Sequence, residues 1–317
     1  MTSPDRPAGA ARSGQPHPTD TPEEPTTVSA PPLAFGMGNP TADCIADSAG
    51  GLTFDLDAPE RSDTSDHWSA ALVLRRRAGG AEEAEEIRLP LTPNGDGRLR
   101  AVLPSTVALP EGRWDVHVAQ GDEDPVRLVP GLLDLRSLVD RRPGPSTSPL
   151  AVRIPYATKH GNLSLRSWLR GPHAEAGDIV LDDDALTVHG VLYRVEDPGA
   201  WLADAVVEAR CRRDVDLVVT APVTADGADF TFTLPYAELS AEWRGGLDVW
   251  DLALRRPDDT DPVRIARLLD DVVDKQQIFA YPPRAIDTPY AAAQAGPYYT
   301  ADNDLSVRID ERPPAAR

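Results

Sequence analysis

The sequence is poor in cysteine and histidine and contains no long apolar run. Its two cysteines, Cys44 and Cys211, lie in unrelated stretches, so we expect no structural disulfide and no thiolate metal site. No stretch reaches the roughly 18 apolar residues that a membrane-spanning helix requires. The N-terminus lacks the basic and apolar regions of a signal peptide. These absences predict a cytoplasmic protein that does not insert into membranes.

Complete catalytic and cofactor-binding motifs are also missing. The sequence has no Gly-x-Ser-x-Gly turn and no phosphate-binding glycine loop, and its six histidines do not stand at metal-ligand spacing. Asp182–Asp184 carries an Asp-x-Asp pattern, which we interpret as a solvated turn between strands. Asn94–Gly97 resembles part of a calcium loop, but Leu103 occupies the position of the required glutamate. We therefore predict no catalytic residue, no metal site and no cofactor.

The balance of charge is strongly acidic. The formal net charge is −19 at pH 7, and a surface of that sign repels nucleic acid and anionic lipid. Arginine supplies nearly all of the positive charge, because Lys159 and Lys275 are the only lysines. Together with abundant alanine, proline and aspartate, this usage is typical of a high-GC bacterium. We interpret the acidic excess mainly as a source of solubility, and we expect no nucleic-acid partner.

A repeated segment marks the middle and the end of the chain. Pro155–Arg166 reads PYATKHGNLSLR, and Pro297–Arg308 reads PYYTADNDLSVR. Both contain Pro-Tyr, a threonine, an Asn or Asp before Leu-Ser, an aliphatic residue and Arg. The two segments begin 142 residues apart, at positions 155 and 297. We call them the first and second signature segments, and they indicate a module that is used twice.

Further matches precede the signature segments in the same order. Arg98–Pro104 and Asp229–Pro235 each alternate apolar and polar residues, as strands with one buried face do. An Asn-Gly or Asp-Gly turn precedes each of them, which predicts a hairpin in both copies. The other matched pairs are Trp114–Val116 with Leu247–Val249 and Pro125–Leu128 with Pro262–Ile265.

The pattern of short strands, with turn signals every 8 to 12 residues or so, favours β-sandwiches. We predict an all-β fold with two tandem Ig-like β-sandwich modules, residues 46–170 and 171–310, and a short tail, 311–317. Residues 1–45 are rich in proline and cannot bury enough apolar surface to offset their ordering entropy, so we predict a disordered arm there. The first signature segment either closes its own module or opens the next one, and we favour the closing role.

The first signature segment is the best candidate for a ligand site. Tyr156, Lys159, His160 and Asn162 place polar groups beside an aromatic ring, a combination that suits a sugar. The second segment keeps a tyrosine, Tyr298, and a threonine, but it lacks the lysine and the histidine. The shared residues are also explained by packing of the ring and by a tight turn.

The tryptophans divide in the same way between packing and binding. We expect Trp114 in the core, whereas Trp168 and Trp201 have polar neighbours and are expected to be more exposed. The candidate ligand-binding residues are therefore Tyr156, Lys159, His160, Asn162, Trp168 and Tyr298.

The first signature segment resembles β-rich modules of actinobacterial cell-envelope transferases, together with the Trp-Asp-Val and Pro-Val-Arg-Leu strands before it. In such proteins these modules accompany a glycosyltransferase or CDP-glycerol glycerophosphotransferase-type catalytic domain. The resemblance covers roughly residues 50 to 310. It implies no catalytic residue, because the chemistry belongs to a catalytic domain that this sequence does not contain.

We therefore predict a non-catalytic accessory or binding protein associated with the synthesis of a teichoic-acid-like envelope glycopolymer. Its expected partners are an envelope-polymer transferase or a glycan. One alternative is a glycosyl or glycerophosphoryl transferase whose site escapes motif recognition. Another is a purely structural or oligomerising module whose edge strands pair between chains.

Overall fold

The computed structural model describes residues 39–57, 70–77, 85–121, 124–257 and 261–312. These residues form mainly β-strands, which confirms the all-β prediction. Most of the predicted arm and tail lies outside the described residues. The strands are β1 (Thr41–Ala46), β2 (Leu52–Asp57), β3 (Ala70–Arg76), β4 (Glu86–Pro90), β5 (Thr92–Pro93), β6 (Arg98–Leu103), β7 (Gly112–Gln120), β8 (Val126–Arg127), β9 (Val129–Asp134), β10 (Leu150–Ala157), β11 (Leu163–Arg170), β12 (His173–Leu181), β13 (Ala185–Tyr193), β14 (Val206–Cys211), β15 (Val218–Pro222), β16 (Thr224–Asp226), β17 (Asp229–Pro235), β18 (Asp248–Arg255), β19 (Val263–Ala266), β20 (Arg284–Asp287), β21 (Ala292–Tyr299) and β22 (Leu305–Glu311).

In the part of the chain that the structure describes, helical structure occurs only as short pieces. Helices α1 (Pro198–Ala203) and α2 (Tyr236–Ser240) lie in the second half of the chain, and the 3-10 helices are Arg136–Leu138 and Lys275–Gln277. Within the described ranges, no helix combines the length and the hydropathy that crossing a bilayer would require.

The first half of the chain, β1 to β11, forms two sheets. One sheet has the order β5-β6-β2-β1-β9, and the other has the order β10-β11-β7-β3-β4, with β8 pairing on β7. Leu99, Ala101 and Leu103 of β6 are all buried, as their alternation predicts. The hairpin β10–β11, which carries the first signature segment, pairs with β7 of the same half. The first signature segment therefore lies at the edge of the sheet β10-β11-β7-β3-β4, which we call the first-half sheet.

The second half, β12 to β22, has a matching arrangement. Its strands are ordered β16-β17-β13-β12-β19-β18-β22-β21-β20, with β14 pairing on β18 and β15 pairing on β14. We call this the second-half sheet. β19 pairs in parallel with β12 and antiparallel with β18, so this single strand links the two layers. The segment β8–β9 does the same in the first half, where β8 pairs with β7 and β9 with β1. The Ig-like topology and the module boundaries remain predictions.

The predicted turns occur where the sequence places them. Asn94 N donates to Arg98 O at 3.0 Å, and Gly95 has φ of 89°, so Asn94–Gly97 turns the chain between β5 and β6. Gly227 (φ 61°) follows β16 in the equivalent hairpin. Asp182 N donates to Ala185 O at 3.0 Å between β12 and β13, which confirms the turn expected at the Asp-x-Asp pattern.

The arm prediction extends too far along the chain. β1 begins at Thr41, and Ala42 and Cys44 are buried because β1 pairs with both β2 and β9. Both cysteines are free thiols, and they lie in different buried clusters, Cys44 in the first half and Cys211 in the second. Burial raises the pKa of the Cys44 thiol.

Strand pairing corrects one of the sequence matches. Trp114 lies opposite Leu165 of the first signature segment, and Trp250 lies opposite Val307, the equivalent residue of the second. Trp114–Val116 therefore corresponds to Trp250–Leu252, so the match to Leu247–Val249 was wrong. Both tryptophans are buried. The loops before the two strands differ in length. The Asp-Val pair at Asp248 and Val249 resembles Asp115-Val116, and this resemblance produced the wrong match.

Both signature segments contain the same tight turn. Thr158 N donates to Asn162 O, and the Thr158 hydroxyl accepts from Asn162 N at 3.2 Å. Thr300 and Asp304 make the same two contacts, again with 3.2 Å to the hydroxyl. One position in each turn has a left-handed backbone: Gly161 at φ 77° and Asn303 at φ 62°. This explains the shared threonine, and why glycine and asparagine replace each other there.

The left-handed backbone at Gly161 predicts how substitutions there change stability. Gly161→Ala should lower the free energy of unfolding by about 1 kcal/mol, because a Cβ disfavours the left-handed backbone. Gly161→Asn should lower it by clearly less, since asparagine tolerates this conformation in the second copy. Urea unfolding followed by circular dichroism measures both changes. Gly144→Ala is the control, because Gly144 has open space around it and no positive φ. Equal losses for alanine and asparagine would contradict the account.

Candidate functional site

A depression of about 740 Å³ lies on the outer face of the first-half sheet. Four of the predicted residues line it together: Tyr156, Lys159, His160 and Asn162. The other first-half lining residues are Arg77, Arg113, Asp115, Arg127, Ala157, Thr158 and Arg166. The second half contributes Val273, Asp274, Gln277 and Ala301. We call this depression the signature pocket.

A row of three arginines crosses the floor of the signature pocket. Arg77, directly after β3, donates its backbone N–H to Arg113 O on β7 at 2.9 Å. Arg113 lies opposite Arg166 of β11 in the register of the sheet. Neighbouring strands in a sheet are about 4.8 Å apart, so the backbones of the three residues lie side by side across the sheet.

Asp115 holds two of the pocket cations in place. Its Oδ1 accepts from Arg77 Nε at 2.8 Å and forms an ion pair with Arg127 Nη1 at 2.8 Å. The Ser164 hydroxyl donates to the same oxygen at 3.0 Å and accepts from Arg77 Nη2 at 2.9 Å. Burial alone would raise the pKa of Asp115, but the hydrogen bonds from Arg77 and Arg127 outweigh it and hold the pKa below its ordinary value.

The signature pocket is locally basic on a strongly acidic protein. Its lining includes four arginines and Lys159, against two carboxylates, Asp115 and Asp274. Asp115 is already engaged by Arg77 and Arg127, and Asp274 caps the 3-10 helix by accepting from Gln276 N at 3.1 Å. Arg166 pairs with Asp302, just outside the lining, so among the described residues Arg113 and Lys159 are the lining cations without a carboxylate partner. The whole chain nevertheless carries a formal charge of −19.

The second half repeats the framework of the pocket. Asp251 accepts from Arg212 Nε at 2.8 Å, from Arg212 Nη2 at 2.7 Å and from the Ser306 hydroxyl at 2.7 Å. These residues occupy the positions of Asp115, Arg77 and Ser164. An Arg–Asp–Ser framework common to both halves is explained by packing of the sheet face alone.

The additional cations belong to the first half alone. Val249, which lies opposite Arg308, takes the place of Arg113. The equivalents of Lys159 and His160, 142 residues later, are Ala301 and Asp302. The two copies thus share a structural framework and differ in the charges added to it. Those added charges are the part of the pocket that the fold does not require.

The second half is fixed against the first-half sheet by a ring of ion pairs. Arg170 and Arg264 each contact both Glu111 and Asp304, at distances from 2.8 to 3.1 Å. Arg166 also pairs with Asp302 at 2.6 Å. Apolar packing supports this contact, because Ala266, Leu268 and Leu269 belong to the first-half buried cluster. We call this contact the joint.

The wall that the second half adds to the pocket is held by a buried lysine. Lys275 is fully buried, its ammonium group contacts Asp270 and Val272 O, and its backbone N–H donates to Asn303 Oδ1 at 3.2 Å. Asn303 in turn donates to Val273 O at 3.2 Å. Burial lowers the pKa of Lys275 from its ordinary value.

Trp168 was wrongly expected to be exposed, and Trp201 likewise. Both are buried, at 0% and 8% relative exposure. Trp168 Nε1 donates to Asp302 O at 3.1 Å, and the Arg166 guanidinium lies 4.9 Å from its ring centre. The polar neighbours of Trp168 belong to the joint, so they cover the ring.

Tyr298 does not line the signature pocket. It is half-buried in the second half, beside Arg212, and its burial raises its pKa. The residues that sequence reasoning missed are Arg77, Arg113, Arg127, Arg166 and Gln277. Arg77 ends a visible run of three arginines, but the folding of distant strands alone brings it beside Tyr156.

The chain has only weak similarity to known proteins in the comparisons below. No family model matches the chain, and no curated protein matches it. Among solved structures, it resembles S. aureus TarS 217–571 at 15% identity and a TM-score of 0.28, over 62% of this chain and 56% of that one. The longer S. aureus TarS structure gives the same scores over 61% and 35%.

A chicken interferon gamma receptor alpha chain gives 6% identity and a TM-score of 0.20, over 72% of this chain and 94% of that one. The match to the shorter TarS structure covers little more than half of that chain. Scores this low place the chain in no family.

Within the described residues, no group of three or more His, Cys, Asp and Glu residues is arranged to hold a metal ion.

The ion pairs of Asp115 predict how the stability of the protein depends on pH. Its pKa is lowered in the folded state, so its stabilising contribution is complete well above the unfolded value of 3.8 and is lost as the pH falls through the folded value. Asp115→Asn should therefore lower the free energy of unfolding at pH 7 by on the order of 1 kcal/mol. The difference from wild type should shrink as the pH falls below 3.8.

Urea unfolding at pH 7, 5, 4 and 3 measures this difference. Asp183→Asn, in the exposed turn between β12 and β13, is the matched control. A loss that stays constant at every pH would mean that Asp115 stabilises the protein by its shape and not by its charge.

Proposed function

We propose that this chain is a non-catalytic binding protein for an anionic, hydroxyl-rich cell-envelope glycopolymer of the teichoic-acid type. The signature pocket would hold a short stretch of the polymer for a separate transferase. The observation that carries the proposal is the excess of cations in the first-half pocket, which the matching framework of the second half lacks. The proposal keeps the cytoplasmic location expected from the sequence.

Phosphate is the anion that the arginine row suits best. Guanidinium groups present paired donors that match phosphate oxygens, and such charge-assisted hydrogen bonds are stronger than neutral ones. Asp115 and Ser164 already hold Arg77 in place. Cations ordered before binding lose less conformational entropy when a ligand arrives, which favours affinity.

Tyr156 adds an apolar surface beside the charges. Its ring is half-buried, and it is close enough to Arg77 to raise the pKa of that guanidinium together with Asp115, the larger influence. A ring next to an amide such as Asn162 suits the carbon faces and hydroxyls of a sugar or polyol. The overall charge of −19 opposes binding along the rest of the surface, so a long polyanion gains little outside the pocket.

Binding of a soluble poly(glycerol phosphate) tests the proposal by isothermal titration calorimetry. We expect saturable binding that weakens as salt increases, and no binding of neutral dextran. Lys159→Gln and Arg113→Gln should each weaken it by about five- to tenfold, the loss expected for one charge-assisted contact.

The control is Arg308→Gln, an exposed arginine on the equivalent face of the second half, which should leave binding unchanged. Equal binding of the wild type and the two pocket variants would refute the pocket as the site. Tighter binding of an oligonucleotide than of poly(glycerol phosphate) would refute the ligand class.

A further inference from the structure

The two walls of the signature pocket have different chemistry and come from different halves of the chain. The first-half wall supplies the arginine row and Lys159. The second-half wall supplies Asp274, Gln277 and Ala301, which bring carboxylate, amide and carbonyl oxygens. Cations bind anions, whereas oxygen acceptors bind hydroxyl donors and repel anions. The two walls are therefore suited to different parts of one ligand.

From this arrangement we infer that the second-half wall determines specificity by accepting hydrogen bonds from ligand hydroxyls, with Gln277 as the main contributor. The ligand class is a phosphate with hydroxyl groups on neighbouring carbons, as in a polyol phosphate. This inference rests on the proposed function, since it assigns a role to the far wall of the same pocket.

The contacts of Gln277 leave its acceptor available. The side-chain nitrogen of Gln277 donates to Asp274 Oδ2 at 3.4 Å, which orients the amide. The amide oxygen is the remaining acceptor, and the side chain is exposed. Asp274 Oδ1 accepts from Gln276 N in the 3-10 helix, and Asp274 Oδ2 accepts from Gln277. Ala301 O accepts from Arg113 at 3.2 Å. Of the three, Gln277 has the acceptor that is least used within the protein.

The wall is also held in place well enough to discriminate between ligands. Lys275, between Asp274 and Gln277, is fully buried and contacts Asp270. Asn303 ties the same segment to the turn of the second signature segment. Polar groups on a fixed backbone discriminate better, because they do not rearrange to suit a ligand that lacks the matching donor.

Two small probes distinguish the binding contributions of the two walls in the full-length protein: inorganic phosphate and ribitol 5-phosphate. For the wild type we expect ribitol 5-phosphate to bind about tenfold more tightly than phosphate, as measured by calorimetry at constant salt. Gln277→Ala should reduce this preference to twofold or less while leaving the affinity for phosphate unchanged. Lys159→Gln should weaken both probes by a similar factor.

Gln276→Ala is the matched control, because Gln276 is an adjacent exposed glutamine that does not line the pocket. It should behave as wild type with both probes. If neither probe binds and poly(glycerol phosphate) does not bind either, the proposed function fails. If Lys159→Gln weakens both probes but Gln277→Ala leaves the preference for ribitol 5-phosphate intact, the function stands and the role of the second-half wall is wrong.

Discussion

The site depends on the ion pairs of the joint. Glu111 and Asp304 each contact Arg170 and Arg264, and this ring holds the second signature turn against the outer face of the first-half sheet. Burial alone would raise the pKa of Glu111, yet the two arginines lower it, which keeps this carboxylate charged. Because the second half covers only part of that face, the uncovered remainder forms the floor of the signature pocket.

The same turn serves a different purpose in each half of the chain. In the first copy the turn Thr158–Asn162 lines the pocket, and it carries Lys159 and His160. In the second copy the turn Thr300–Asp304 docks onto the first half, and its acidic residues pair with Arg166 and Arg170. The backbone of the turn is the same in both copies. Its side chains differ: Lys159 lies at the cavity in the first copy, whereas Asp302 and Asp304 face arginines in the second.

Much of the fold follows from local sequence. Alternating residues and Asn-Gly or Asp-Gly turns predicted two hairpins, and the repeat predicted a module used twice, with a tight turn in each signature segment. These features depend on neighbours in the chain, so a single sequence reveals them. The mistaken match of Trp114–Val116 to Leu247–Val249 arose because loop length carries little energetic cost and varies freely between copies.

The candidate site was predictable only where it is contiguous. Tyr156, Lys159, His160 and Asn162 lie within seven residues, so they were visible together. Arg77 follows β3, Arg113 lies in β7 and Arg127 in β8, and only the register of the sheet brings them together. Trp168 was misjudged because polar neighbours in sequence normally indicate solvent, whereas here they face the other half of the chain.

Hydrogen–deuterium exchange of the full-length protein, with and without a glycerol phosphate oligomer, tests most directly whether one ligand engages both walls. The account predicts slower amide exchange in two separate segments, Thr158–Asn162 and Val273–Gln277, and no change in the hairpin β16–β17 at one end of the second-half sheet. Protection of the first segment alone would place the ligand on the cationic wall only. Protection of neither segment, at ligand concentrations that saturate binding, would contradict the central claim that the signature pocket is the site.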